Sequence, residues 1–152
     1  MRHTSAFLSL IFVLLVGCAP VRPPRPETST YLVSAGAGFA MTPERGVYCS
    51  MGFKLRETFP SPIFVVAQFE DPANSSSRLR VEKTVEVGAV GFMLQSPPVR
   101  ILTNNKLYAV DLFLYEDEAH MKLLGQHRQK VLFSIPSRYV SGIEQQFSIR
   151  IL

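Results

Sequence analysis

From Tyr31 onward, apolar side chains recur with a period of two. Val47, Cys49, Met51, Phe53 and Leu55 share one face of an extended segment, with Tyr48, Ser50, Gly52, Lys54 and Arg56 on the other. Tyr108, Val110, Leu112 and Leu114 repeat the pattern, as do Val131, Phe133 and Ile135, and finally Phe147, Ile149 and Ile151 opposite Gln146, Ser148 and Arg150. Successive side chains of a strand point to opposite sides of its sheet, so each segment buries one face against a common core. Residues 63–69 are apolar on nearly both faces, which predicts a central strand. Residues 81–87 alternate with Glu82, Thr84 and Glu86, and Val90, Phe92 and Leu94 predict a further short strand.

Clusters of Pro, Gly, Asn and Asp at 42–46, 59–62, 71–74, 96–98, 103–105 and 135–137 break the chain between these segments. Seven to nine short strands with such turns predict an all-β domain over 31–152, an antiparallel β-sandwich of immunoglobulin-like or similar plan. A closed barrel is the alternative, because alternation does not distinguish one curled sheet from two packed ones. Residues 116–124 have good helix formers, acidic first and basic later, and fit either two helical turns ended by Gly125 or a hairpin loop. The flanking segments 107–115 and 127–135 are equally long and close in sequence, which favours the hairpin.

Composition agrees with a packed domain and narrows its chemistry. Hydrophobic residues are 47% and charged residues 18%, enough apolar surface to offset the entropy of ordering. Sixteen basic against twelve acidic residues give +4, but no stretch gathers the excess into the basic face that nucleic-acid binding needs, so nucleic acid is not an expected partner.

The first seventeen residues have the layout of an export signal: Arg2 and His3, an apolar run from 7 to 16, then small residues. Ten apolar residues reach roughly 15 Å as a helix, half of a ~30 Å hydrocarbon core, so cleavage is expected in place of a permanent span. Leu15-Val16-Gly17-Cys18 resembles the lipobox of bacterial lipoproteins. The resemblance implies cleavage between Gly17 and Cys18 and acylation of the Cys18 thiol and new amino group, so that membrane lipid becomes a partner through Cys18. At about 0.8 kcal/mol per buried methylene, two or three fatty chains hold far more firmly than one. Ala19 is not the aspartate that resembles an inner-membrane retention signal, which favours the outer membrane, facing the periplasm. Residues 18–30 follow as a tether with prolines at 20, 23, 24 and 26, an extended spacer of at most ~35 Å.

Within the domain, candidate chemistry is sparse, and no catalytic residue, metal or cofactor is assigned. Cys49 is the one thiol left once Cys18 is acylated, and its apolar register predicts burial and inertness. Glu116, Asp117, Glu118, His120 and His127 form the one loop with potential metal ligands, or a partner contact, although none has the spacing of a zinc motif. Asp111 lies opposite the core face, either facing solvent or paired with a neighbouring-strand Arg or Lys. The expected function is a non-enzymatic envelope lipoprotein whose sandwich binds other envelope proteins. One alternative is a small-ligand binder with a pocket lined by Phe92, Phe113 or Phe133. The other is a hydrolase with His120 or His127 beside a carboxylate or Cys49.

Overall fold

Strands alternate between two antiparallel layers in a computed structural model of the chain, which describes residues 29–42, 46–143 and 147–150. The signal, Cys18, the tether before Ser29, the centre of the 42–46 turn and Ile151 lie outside the described residues. In chain order the elements are β1 (Leu32–Thr42), β2 (Gly46–Leu55), β3 (Ile63–Glu70), β4 (Arg78–Val85), β5 (Gly91–Gln95), β6 (Ile101–Thr103), β7 (Lys106–Tyr115), β8 (Leu123–Phe133), α1 (Ser137–Ile143) and β9 (Ser148–Arg150). One sheet has the order β1-β2-β5 and the other β4-β3-β7-β8, and their inner faces pack together as a sandwich that does not close into a barrel among the described residues.

The alternation seen in the sequence is the mechanism of packing. Cys49, Met51 and Phe53 from β2, Val65, Ala67 and Phe69 from β3, and Val110, Leu112 and Leu114 from β7 form one buried cluster between the sheets. Each large apolar side chain removed from water this way contributes about 1.5–3 kcal/mol, so the inter-sheet face is the main source of stability. β3 lies between β4 and β7 and buries Val66 on its outer side as well, which is why its sequence is apolar on both faces. Phe53 stacks on Phe92, with ring centroids 5.4 Å apart, and ties β2 to β5.

A second apolar cluster closes one end of the sandwich. Val47, Leu102, Tyr108, Phe133, Ile135, Val140 and Phe147 meet there, and Phe39 touches both clusters. The chain reaches this cluster through α1, which period-two reading does not reveal and which contributes Val140, and through β9, the strand that the alternation of Phe147 and Ile149 predicts, which pairs in parallel with β6. Asn104 completes the junction by imitating a strand. Its side-chain oxygen accepts from the Ile135 amide at 2.8 Å and its nitrogen donates to the Ile135 carbonyl at 3.0 Å.

The opposite end carries the loops 56–62, 86–90 and 116–122 and receives the chain at Tyr31, whose carbonyl accepts from the Arg56 amide. Residues 116–122 form the loop of the β7–β8 hairpin, not a helix.

Candidate functional site

The structure disperses the residues that composition and spacing single out. Cys49 is buried on β2, and burial pushes its thiol up to about 12, so it stays protonated and unreactive at neutral pH. It borders a crevice of about 20 Å³ lined by Phe39, Phe69, Val99, Tyr108 and Val110, room for a water molecule and little more. Phe92, Phe113 and Phe133, the residues that the ligand-binding alternative names for a pocket lining, lie apart from one another. Phe92 lies on Phe53, Phe133 meets Phe39 edge-on, and Phe113 belongs to the outer face of its sheet.

His127 does not belong to the acidic loop. It lies inside β8 in register with Gln129, Val131 and Phe133, buried, with its ring edge-on to Phe53 and Nε2 3.4 Å from the Gln129 Oε1. His120 remains in the loop, with a φ of 57°, its ring against Tyr115 and Nδ1 3.4 Å from an Arg80 nitrogen. The carboxylate of Asp117 accepts from the amides of Met121 and Lys122 at 3.0 and 2.7 Å, which closes the loop. The hydrogen bond from the Met121 amide, with those from Lys122 and Ala119, holds that carboxyl below its ordinary range against the opposing effect of desolvation. Glu116 pairs with Lys122, and Glu118 is exposed. Asp117 and Glu116 are therefore engaged within the loop itself, and among the described residues no three His, Cys, Asp or Glu converge on a point where a metal would sit.

What the fold does present is surface on two contrasting sheet faces. On the four-stranded sheet, cross-strand register lines up Arg80, Gln68, Asp111 and Arg128. Arg128 Nε donates to Asp111 at 2.5 Å, as the sequence predicts for a strand-borne carboxylate outside the core, and Arg80 Nε donates to Glu82 at 2.7 Å. An open groove of about 580 Å³ runs over this face, bounded by Gln68, Arg78, Asp111, Phe113, Gln126 and Arg128. Its charges are largely engaged with one another.

The three-stranded sheet is different. On its outer side Gly36, Gly52 and Met93 fall in one row, and β5 forms an edge that pairs with β2 alone among the described residues. Val90 donates nothing to the core; its carbonyl accepts from the Leu55 amide while its side chain is 80% exposed. The sequence groups Val90 with the inward residues Phe92 and Leu94, but the strand starts at Gly91 and no facing layer extends over Val90. Met93 is 66% exposed and Val87 56%. Sequence reasoning missed Met93, although its place between two inward-facing apolar residues is the signal that it points out.

No protein-family model and no curated protein matches this chain. Two solved structures of Bacteroides uniformis beta-glucuronidase 2 are similar in part. A calcium-binding mutant aligns with 64% of this chain at 17% identity and TM-score 0.45. A form covalently bound to cyclophellitol-6-carboxylate aziridine aligns with 69% at 16% identity and the same TM-score. The alignment covers 13% of the glucuronidase chain in each case.

Proposed function

We propose that the protein is a non-enzymatic lipoprotein of a bacterial envelope, held by acylated Cys18 in the outer membrane facing the periplasm, where its sandwich binds other envelope proteins. The anchor rests on Leu15-Val16-Gly17-Cys18 and the proline-rich tether that follows. The observation that carries the binding role is the β5 edge: backbone groups that pair with no strand on their outer side among the described residues, flanked by Val87, Val90 and Met93 in solvent. An open edge accepts a further strand through main-chain hydrogen bonds, and neighbouring apolar side chains add buried area. Anchoring strengthens such a contact by confining both partners to one thin layer, which raises their effective concentration. On this reading the loops 56–62, 86–90 and 116–122, at the end where the tether enters, lie nearest the bilayer.

Two measurements test the proposal together. Mass spectrometry of the natural product is expected to find a mature N-terminus at Cys18 carrying acyl chains. Pull-down of that form from envelope extract is expected to recover a specific neighbour that the Cys18→Ala chain does not retain. An unmodified N-terminus elsewhere sinks the anchor, and equal recovery by both chains sinks the role given to it.

A further inference from the structure

We propose that β5 pairs antiparallel with β5 of a second copy of this chain, about a two-fold axis through Met93, so that two three-stranded sheets become one of six strands. The inference rests on the reading of the domain as one that presents sheet edges, and it names the partner of that edge.

The backbone fixes which groups are available. Val90 accepts from Leu55 and Ser96 donates to the Cys49 carbonyl, so the even-numbered residues of this segment face β2. The amides and carbonyls of Gly91, Met93 and Gln95 therefore point to the free side. An axis at Met93 sets Met93 opposite its own copy and Gly91 opposite Gln95, and these three pairs exchange about six main-chain hydrogen bonds. Such an interface is self-complementary, as two-fold symmetry demands.

The other edges of the two packed sheets are defended against this pairing. The outward side chains of β8 are Gln126, Arg128 and Lys130, so an axis through that strand brings cation against cation. β4 exposes Arg78, Arg80, Glu82 and Lys83. β1 carries a register shift between Ser34 and Gly36, and Tyr31, just before it, approaches Gly125 of β8. Charge and bulges are the usual means of keeping an edge from a second strand. β5 has neither: its outward residues are Gly91, Met93 and Gln95.

Side chains favour the same partner. Met93 lies beside Gly52 and, one strand further, Gly36, so its own sheet offers it no neighbouring side chain in that row. In the pair, Met93 covers Met93 of the copy. Val90 comes opposite Ser96 and the Pro97-Pro98 turn, an uncharged stretch that an apolar side chain can cover.

Cross-linking reads this register directly. Full-length chains bearing Met93→Cys or Gln95→Cys are oxidised in the membranes of the expressing cell, with the unsubstituted chain as control. Directly paired residues have Cα atoms about 5.5 Å apart, within disulfide reach, whereas a residue two positions from the axis is roughly 13 Å from its copy. Met93→Cys is expected to give at least about tenfold more disulfide-linked dimer than Gln95→Cys, both chains melting within a few degrees of the control. Equal yields, no dimer, or cross-linking of Met93→Cys to a different protein overturns the proposal. A Met93→Cys dimer with no anchor-dependent neighbour overturns the wider envelope-binding role and leaves self-pairing standing. The converse result overturns self-pairing alone.

Discussion

β5 and β8 each end a sheet, yet they meet the same hazard with different chemistry. β8 has eleven residues, and its outer row bears Arg128 and Lys130, with Arg128 pinned by Asp111 on β7. β5 has five residues, carries no charge, and leaves Met93 and the preceding Val90 in water. A long edge without charge would invite indiscriminate pairing, whereas a short one limits how much strand any partner can add. What holds each edge to its own sheet differs too. β8 has cross-strand ion pairing in addition to its ladder, but β5 relies on an unusually close backbone approach to β2 and on the Phe53–Phe92 stack.

The largest expected effect tests that close approach. A Cβ added at Gly91 would lie 2.3 Å from the Phe53 carbonyl oxygen and 3.3 Å from the Lys54 Cα, both backbone atoms that yield only if the strands separate. Gly91→Ala is expected to destabilise the protein by about 3 kcal/mol or more, read from the urea midpoint. Gly125→Ala on β8 is the matched control. Its Cβ meets the Tyr31 ring at 2.9 Å, a side chain that can swing away, so about 1 kcal/mol is expected. Equal costs would show that β5 is not held by proximity.

The next effect belongs to the charged sheet. Glu70 bonds Lys106 Nζ at 2.8 Å and accepts from the Ala109 amide at 3.1 Å. Burial by itself pushes the Glu70 carboxyl up, but these hydrogen bonds and the positive charges of Lys106 and Arg78 outweigh it and hold the carboxyl below its ordinary range. A group depressed in the folded state contributes stability above its unfolded pKa and loses it as pH falls through the folded value. Stability is therefore expected to decline from mildly acid pH downward. Glu70→Gln should cost about 1 kcal/mol at neutral pH and flatten that decline; an unchanged slope would remove Glu70 from the account.

Much of this contrast was legible in the sequence, and the failures have specific causes. The apolar register of β2 gave the burial of Cys49, and a stretch apolar on both sides gave β3 its central place. Equal flanking segments correctly favoured a hairpin over a helix at 116–122. Nearness in sequence groups His127 with the acidic loop, although stepping back by twos from Phe133 through Val131 and Gln129 reaches it on the buried face. α1 escapes the reading because Ile135-Pro136-Ser137 reads as a chain break and the seven residues of α1, with Gly142 among them, are too few for the spacing of Tyr139, Val140 and Ile143 to stand out. β6 has three residues, too few to show any period, whereas the alternation of Phe147 and Ile149 marks β9 but not its parallel pairing with β6. The exposed edge was half legible: alternation points Met93 outward, but which strands end a sheet is a matter of long-range pairing.

A smaller effect lies on β1, the other edge of the three-stranded sheet. The Ser34 hydroxyl is buried, the residue being 9% exposed, and it has no hydrogen-bond partner among the described residues. A buried hydroxyl left without a partner costs free energy that a methyl group does not. Ser34→Ala is expected to stabilise the protein by about 1 kcal/mol, raising the thermal midpoint by a few degrees. A loss of stability would mean that the hydroxyl does useful work in the folded state.

The smallest effect is expected where the geometry looks strongest. Asp111 and Arg128 face each other directly across β7 and β8, with side-chain exposures of 14% and 69%. Most of the guanidinium is hydrated, so the attraction is screened and offset by the entropy of holding a long side chain, leaving about 0.5 kcal/mol. A double-mutant cycle of Asp111→Ala and Arg128→Ala isolates this coupling from the other contacts of either residue. In 1 M salt, where the screening length falls to about 3 Å, the coupling should shrink toward zero. A coupling above about 2 kcal/mol that survives salt would make the ion pair a structural tie of β8. The small value instead leaves the charges on β8 with one main task, keeping a second strand away, which is the task that no residue performs on β5.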